Sequence, residues 1–130
     1  MSRDTREAGE WGEDVAVAAL RKKGFRIVGR QVRLARRDEL DIVARDGDSL
    51  VFVEVKTRKN EDFGRPVEAV DRRKRHVLSR AAVRYLKRMK NPHVCFRFDV
   101  VEVIGQPFTE NPVVNHIENA FSLDRRYSLP

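Results

Sequence analysis

Glu54 and Lys56 stand two positions apart within an apolar run, Leu50-Val51-Phe52-Val53-Glu54-Val55-Lys56. Residues two apart in a β-strand point to the same face of the sheet, so we expect this carboxylate and this ammonium side by side. Burying ionised groups in a strand covered on both faces is unfavourable unless they are paired or bound to a metal. A catalytic role and a structural ion pair each explain the placement, and the acid-x-Lys triplet alone does not separate them.

Asp41 lies in the preceding apolar run, Leu40-Asp41-Ile42-Val43-Ala44, and an Asp-Gly pair between the two runs predicts a β-hairpin. If the hairpin loop has an even number of residues, Asp41 pairs opposite Phe52 or Glu54 and joins their face; we predict an even loop. Two carboxylates offer the hard oxygen ligands that Mg²⁺ or Mn²⁺ prefers. The pattern therefore predicts phosphodiester hydrolysis, with Asp41 and Glu54 as metal ligands and Lys56 orienting the attacking water or stabilising the pentavalent phosphorus.

Glu13 is a further candidate, because it lies one helical turn from Val17 and two turns from Leu20 and so borders an apolar face. Its position suits a third metal ligand or a base that acts through a ligand. An ion pair with a Lys or Arg of a neighbouring element explains the same position equally well. Glu10 is expected to be more exposed, as a bystander or a supporting group.

The charge of the chain favours a polyanionic partner. Lys and Arg number 27 against 20 Asp and Glu, a net charge of +7, which favours nucleic acid first and an anionic membrane or ribosomal surface second. The predicted nucleic-acid-binding residues are Arg58, Arg72, Arg73 and Lys74. Lys74 stands one turn before Leu78, so it could reach the site or a phosphate, but an ordinary base in the first turn of a helix is the favoured interpretation.

The elements that must position these residues form an α/β pattern. We predict a helix over residues 5–23 ending at Gly24, a strand over residues 25–34 bulged near Gly29, and the two hairpin strands at the centre of the sheet. Asp71 caps a long helix that ends near Lys90. Its buried stripe is predicted to be Val77, Leu78, Ala81, Ala82, Tyr85, Leu86 and Met89. A strand over residues 94–104, a short edge strand over 113–117 and a last turn at 119–121 complete a single domain, residues 1–130: a mixed β-sheet flanked by helices.

Two expectations concern the environment of the chain. Cys95, the one cysteine, has no second thiol to pair with and is expected to be a buried, reduced thiol. No apolar stretch approaches the length of a membrane span and the first residues lack the apolar core of a signal peptide, so we expect a cytoplasmic protein that does not enter the membrane.

Five stretches resemble the YraN-like family of small bacterial proteins. They are Gly12-Glu13-Asp14, Glu39-Leu40-Asp41-Ile42-Val43-Ala44, Leu50-Val51-Phe52-Val53-Glu54-Val55-Lys56-Thr57-Arg58, Phe63-Gly64-Arg65-Pro66 with Glu68-Ala69-Val70 and Lys74, and Arg97-Phe98-Asp99-Val100-Val101. That family is similar to the restriction-endonuclease-like PD-(D/E)xK superfamily, and within it to archaeal Holliday junction resolvases. The resemblance implies a restriction-endonuclease-like fold.

Carried over by position, the resemblance implies that Asp41 and Glu54 are metal ligands, Lys56 the catalytic lysine and Glu13 the acid of the first helix. One departure stands out, since Asp38 occupies a position where the family usually has glycine. Its carboxylate is expected either near the metal, where it would alter ion preference, or directed to solvent.

The expected function is therefore that of a Mg²⁺- or Mn²⁺-dependent endonuclease that acts on DNA, with branched DNA as a candidate substrate and a homodimer implied by analogy to resolvases. One alternative is a nucleic-acid-binding protein that keeps this fold and does not cleave. The other is an interaction module whose basic helix docks on an acidic partner or membrane surface, with Glu54 and Lys56 as a structural pair.

Overall fold

The structure, a computed structural model, describes residues 3–60, 70–90 and 93–127. Its elements follow the order α1 (Arg3–Lys22), β1 (Arg26–Ala35), β2 (Asp38–Asp46), β3 (Ser49–Arg58), α2 (Arg72–Arg88), β4 (Phe96–Ile104) and β5 (Val113–Phe121). The motif at residues 63–66 and the acid at position 68 lie outside the described residues. Among the described helices, none has the length and apolarity needed to cross a membrane.

The five strands form one mixed sheet in the order β1-β2-β3-β4-β5. β3 and β4 are parallel and connected through α2, whereas the other neighbouring pairs are antiparallel. The predicted α/β class, a mixed sheet flanked by helices, is confirmed, and the architecture is consistent with the restriction-endonuclease-like fold that the resemblance implies. β3 is the middle strand, as its continuous apolar sequence predicted.

The core consists of two layers, one on each face of the sheet. Leu78, Ala82 and Leu86 of α2 pack against Phe52 and Phe98 on one face. On the other face, Ala16, Val17 and Leu20 of α1 pack against a second set of strand residues. The predicted stripe of α2 is largely confirmed, but Ser79 and Val83 are also buried, and Val77, Tyr85 and Met89 are only partly buried.

Local signals in the sequence account for the ends of both helices. Gly24 adopts φ +95° after α1, and Phe25 N donates to Leu20 O at 3.0 Å, so the expected left-handed termination is confirmed. Asp71 caps α2 by accepting a hydrogen bond from Lys74 N at 2.8 Å. The register of β1 shifts between Ile27 and Gly29, where the bulge was predicted.

Two expectations were wrong. Residues 119–121 continue β5, which runs to Phe121, because Asn119 N donates to the buried Asp99 carboxylate at 3.0 Å and Phe121 packs against Phe98. Cys95 is exposed, since it precedes β4 and contributes its backbone oxygen, 2.8 Å from Leu50 N.

Candidate active site

The hairpin of β2 and β3 brings Asp41 beside Glu54. Asp46 pairs with Ser49 across a two-residue turn, so the predicted even loop is confirmed. Ile42 pairs with Val53 as the last pair of this ladder, so Asp41 and Glu54, the next residues of the two strands, come to the same level of the sheet. The side chain of Asp41 is also fixed to β3, because its Oδ2 accepts a hydrogen bond from Val55 N at 2.9 Å.

The alternation of β2 breaks at Asp41. Leu40 belongs to the core layer that packs on α2, whereas Ile42, two residues later, belongs to the layer on α1. In a regular strand both would share a face. The neighbouring strand is irregular at the same level, since Gln31 has φ +48°, a left-handed conformation uncommon for a residue with a side chain. This distortion gives Asp41 access to a cleft on the α1 side of the sheet.

Glu54 is buried, with 7% of its side chain exposed, and its Oε1 lies 3.6 Å from Lys74 Nζ. Burial and the nearby charge of Asp41 raise the pKa of Glu54 to about 7, although Lys74 and Lys56 act in the opposite direction. Burial also raises the pKa of Asp41, against the hydrogen bond from Val55 N. The structure therefore brings together two carboxylates whose joint ionisation is unfavourable and two lysines that partly compensate for it.

A cleft of about 930 Å³ opens between α1 and the sheet at this point. It is lined by Arg6, Ala8, Gly9, Glu10, Glu13, Asp14, Arg30, Gln31, Asp41, Val55, Lys56 and Thr57. Of the four predicted catalytic residues, Glu13, Asp41 and Lys56 line the cleft, while Glu54 is buried next to Asp41. The cleft is large enough for a small ligand or a segment of a nucleic-acid backbone.

Glu13 has the ion-pair partner that one of its two interpretations predicted, and its role as a third metal ligand or base stays a prediction. Its Oε1 accepts a hydrogen bond from Arg30 Nε at 2.9 Å and its Oε2 accepts one from Gln31 Nε2. Its charge also reaches the site, where it raises the pKa of Asp41. Arg30 bonds Asp14 as well, at 2.6 Å. Glu13 is therefore an ion-paired acid at the edge of the site. The adjacent polar residues Arg30 and Gln31, in an otherwise partly apolar strand, could have indicated its partners from the sequence.

Gly12 explains how α1 comes this close to β3. A Cβ at position 12 would clash with Thr57 Oγ1, whereas nothing lies within 4 Å of a Cβ built at Gly9. Only glycine therefore permits the contact between α1 and the end of β3. The contact places Glu13, the next residue, at the rim of the cleft.

The donor set is compatible with a divalent cation. Asp41 Oδ1 makes no hydrogen bond to any described residue, and a cation between the two carboxylates would compensate for the burial that raises the pKa of both and for the charge of Asp41 that raises the pKa of Glu54 further. Asp41 and Glu54 would hold such an ion, completed by backbone carbonyl oxygens and water. No group of three or more His, Cys, Asp or Glu side chains suited to a metal occurs among the described residues, so two side chains at most are supplied from that part of the chain.

The four residues predicted to bind nucleic acid occupy three different environments. Lys74 contacts Glu54, so the favoured interpretation of an ordinary first-turn base was wrong. Arg72 and Arg73 are exposed and line a separate cleft of about 890 Å³, together with Arg125 and Arg126. Arg58 has 13% of its side chain exposed and its Nε lies 2.8 Å from Glu102 Oε2, which gives it a structural partner inside the sheet.

Glu102 was missed by the sequence analysis. It is 2% exposed and lies next to Lys56 in the parallel β3–β4 pairing, where its Oε1 accepts a hydrogen bond from Asn115 Nδ2 at 3.2 Å. The signal was available, because Glu102 interrupts the apolar run of β4 in the same way that Glu54 interrupts that of β3. Its pairing with Arg58 marks it as a structural acid at the border of the site.

Asp38 has neither of the two expected positions. Its carboxylate is 2% exposed and lies 2.7 Å from Arg80 Nη2 and 2.7 Å from Arg84 Nε. Burial alone would raise its pKa, but the hydrogen bonds and charges of these arginines outweigh burial and lower it. Asp38 thus fastens α2 to β2, because the helix presents two arginines one turn apart at this strand.

Comparison with known proteins gives one family. A family model described as "Uncharacterised protein family UPF0102" matches residues 12–103. Relatives called "UPF0102 protein" include one from Caldicellulosiruptor saccharolyticus, 43% identical over 116 residues, which cover 89% of this chain and 98% of the relative. One from Geotalea daltonii is 44% identical over 120 residues, 92% of this chain and 93% of the relative. One from Syntrophomonas wolfei is 45% identical over 116 residues, 89% of this chain and 98% of the relative.

Proposed function

We propose, from the premise that this chain belongs to the uncharacterised protein family UPF0102, that it is a divalent-metal-dependent endonuclease acting on DNA. UPF0102 is the YraN-like family that the sequence motifs resemble. We propose further that the family belongs to the restriction-endonuclease-like superfamily and that, by analogy with the resolvases of that superfamily, the protein is a homodimer that cuts two strands.

One observation carries the proposal. The partly buried Asp41 and the buried Glu54 lie together at the centre of the sheet with raised pKa values, beside Lys56 and a cleft, although a folded chain gains no stability from two neighbouring acids withdrawn from water. Pairs of titratable groups whose environment works against their charge cluster at functional sites. The net charge of +7 supports a polyanionic substrate.

Asp41, Glu54 and Lys56 would have different roles in phosphodiester hydrolysis. Asp41 and Glu54 would hold a Mg²⁺ or Mn²⁺ ion, which supplies Lewis acidity by polarising the phosphodiester and lowering the pKa of water. Lys56 lines the cleft, where its ammonium orients the attacking water and stabilises negative charge developing on the phosphate. Water adds to phosphorus and gives up a proton to solvent as one P–O bond breaks, and the leaving oxygen takes up a proton from solvent.

Two further residues support this arrangement. Lys74 lies 3.6 Å from Glu54 and lowers the pKa of that carboxylate, which keeps a larger fraction of it ionised for metal binding. Glu13, held by Arg30 and Gln31, adds a negative charge at the cleft that favours a cation over an anion near Asp41. Both act through the two acids that would hold the ion.

A cleavage assay with matched variants tests the proposal. Wild type, Asp41→Asn and Asp48→Asn are incubated with four-way junction, flap, single-stranded and linear DNA in Mn²⁺ or Mg²⁺. Asp48 is an exposed acid of the hairpin turn and serves as the control. We expect cleavage by wild type and Asp48→Asn, and a loss of about 10³-fold or more in Asp41→Asn.

Calorimetric metal titration of the same proteins separates the alternatives. Binding of Mn²⁺ that is lost in Asp41→Asn and Glu54→Gln supports the hydrolase. Salt-sensitive DNA binding without such metal binding would identify a non-cleaving nucleic-acid-binding protein, and absence of both would leave an interaction module.

A further inference from the structure

The loop between β4 and β5 holds a phenylalanine in an unfavourable backbone conformation. Thr109 N donates to Gln106 O at 2.9 Å, and Gln106 N donates to Thr109 Oγ1 at 2.8 Å, which closes a tight turn with Pro107 and Phe108 at its centre. Phe108 has φ +75°. Proline followed by a residue with positive φ is typical of a type II turn, in which the second central position favours glycine. Phe108 is therefore strained where glycine would be relaxed.

The side chain of Phe108 contributes nothing visible to the fold. It is 99% exposed, more than any other large apolar side chain among the described residues. Glycine at this position would make the folded protein more stable, because it would remove both the backbone strain and the exposed apolar area of the ring. Folding therefore does not explain this residue, whereas contact with a ligand outside the chain would.

The turn is held at the same end of the sheet as the candidate active site. Gly105 N donates to Arg58 O at 2.8 Å, and a Cβ at Gly105 would lie 3.1 Å from the Trp11 ring of α1. Arg58 follows Lys56 by two residues, roughly 7 Å along a strand. Phe108 follows Gly105 by three residues, at most about 11 Å of chain. Phe108 is thus within roughly 20 Å of Lys56, a distance spanned by a few nucleotides.

The surroundings of Phe108 indicate the kind of partner. The exposed residues nearest in sequence are polar or acidic (Gln106, Thr109, Glu110 and Asn111), and the next exposed apolar side chain is the half-exposed Val113. The turn therefore presents one fully exposed ring and not an apolar patch of the size that binds proteins. An isolated aromatic ring on a rigid turn, on a chain of net charge +7, suits stacking on a nucleobase. Bases inside a duplex are already stacked on each other and do not offer a free face.

We propose that Phe108 stacks on an unpaired base of the nucleic acid whose backbone occupies the cleft of Asp41 and Lys56. This inference rests on the proposed endonuclease function and adds its substrate class: DNA with single-stranded or unpaired nucleotides close to the cut. Stacking accepts any base, so the ring selects for an unpaired structure and not for a sequence.

Binding is measured in the Asp41→Asn background, which prevents cleavage, with 2-aminopurine placed in the single-stranded arm of a flap substrate. The variants are Phe108→Gly, Phe108→Tyr and, as a matched control, Val113→Ala, which shortens a half-exposed apolar side chain of the same hairpin. We expect Phe108→Gly to weaken binding of flap and single-stranded DNA by roughly 5- to 100-fold and to lose the 2-aminopurine stacking signal. Its affinity for blunt duplex stays unchanged, and Phe108→Tyr and Val113→Ala bind like the parent.

Thermal unfolding of the same variants tests the strain. Phe108→Gly is expected to unfold at the same temperature as the parent or a higher one, so a loss of binding is not a loss of folding. An unchanged preference for flap over duplex in Phe108→Gly overturns the inference, and so does a change of oligomeric state in sedimentation, which would make the ring a self-association contact. Failure of the parent to bind any of these substrates instead overturns the proposed function.

Discussion

Two groups of buried acids in this protein have opposite electrostatic surroundings. The paired acids, Asp38 and Asp99, each contact two or more partners, and both have a lowered pKa although burial opposes this. Asp99 accepts from Arg97 Nε at 2.9 Å and lies 2.8 Å from His116 Nε2. The site acids are the buried Glu54 and the partly buried Asp41: burial raises the pKa of both, and the charge of Asp41 raises the pKa of Glu54 further. Burial alone therefore does not mark a functional acid; the balance of charges around it does.

The two groups also stabilise the fold over different pH ranges. The paired acids have a folded pKa below the unfolded value of 3.8, so their contribution is present above about pH 4 and is lost as the pH falls further. Glu54 has a folded pKa of about 7 against 4.5, so the fold is favoured below pH 4.5 and loses stability as the pH rises through 7. Without metal, the stability contributed by these groups should be greatest near pH 4 to 5.

The largest effect is expected in the paired group. Asp99→Ala should lower the free energy of unfolding by about 3–5 kcal/mol, because His116 and Arg97 lose a fully buried partner. Urea unfolding at pH 7 measures this. Asp46→Ala, which removes a half-exposed partner of Arg97, is the control and should change stability by less than about 1 kcal/mol. Equal effects of the two substitutions would contradict the distinction.

The opposite sign is expected at the site. Glu54→Gln should raise the free energy of unfolding by up to about 3 kcal/mol at pH 8 in EDTA, since a shift from 4.5 to about 7 corresponds to about 1.4 kcal/mol per pKa unit. The gain should disappear at pH 4.5, where Glu54 is protonated in wild type. Exposed Glu10→Gln should leave both values unchanged. Destabilisation by Glu54→Gln at pH 8 would identify Glu54 as a structural partner of the lysines.

Metal should convert the site from a destabilising to a stabilising group. At ten times Kd, Mn²⁺ is expected to raise the free energy of unfolding of wild type by about 1.4 kcal/mol. The effect should weaken as the pH falls through 7, because protonation of Glu54 competes with the ion. Thermal unfolding with and without Mn²⁺ at pH 6 and pH 8 measures it. A shift that persists in Asp41→Asn would place the ion elsewhere.

The smallest effect concerns Lys74, the half-exposed cation beside Glu54. Lys74→Met should raise the pKa of Glu54 further above its usual range and lower stability at pH 8 by less than about 1 kcal/mol. The midpoint of the pH dependence of unfolding should move to higher pH. Arg73→Met, at the adjacent exposed position, should not move it. If both variants behave alike, the long-range charge of the helix and not the contact with Glu54 is responsible.

The sequence predicted what depends on strand period and local chain signals. Residue types alone predicted the two-residue hairpin turn, the α2 cap at Asp71 and the central position of β3. The approach of Asp41 to Glu54 follows from the hairpin. Family membership is confirmed as well. The expectations of a nuclease, of a bound metal and of a nucleic-acid partner stay predictions.

Contacts between elements that are distant in sequence were mostly not predicted. The partners of Asp38 come from α2, more than 40 residues away, and those of Glu13 come from β1, so single-strand periodicity could not find either. The contact of Lys74 with Glu54 joins α2 to β3 across 20 positions of sequence; the position of Lys74 one turn before Leu78 allowed this contact but did not favour it over an ordinary first-turn base. β5 continues past the predicted end at Ile117 because Asp99 supplies a hydrogen-bond acceptor for Asn119 and Phe98 a packing partner for Phe121.

The way β3 is paired has a consequence for the order of folding. Its contact with β2 closes through the turn at Gly47 and Asp48, whereas its parallel contact with β4 joins residues far apart in sequence, such as Leu50 and Phe96, with α2 between them. Short-range contacts form earlier because less chain entropy is lost in closing them. The hairpin should thus bring Asp41 and Glu54 together before α2 packs and places Lys74 beside Glu54. During folding, the two carboxylates would therefore be close to each other before the compensating charge of Lys74 is in place. Refolding in EDTA should accordingly be faster at pH 5 than at pH 8.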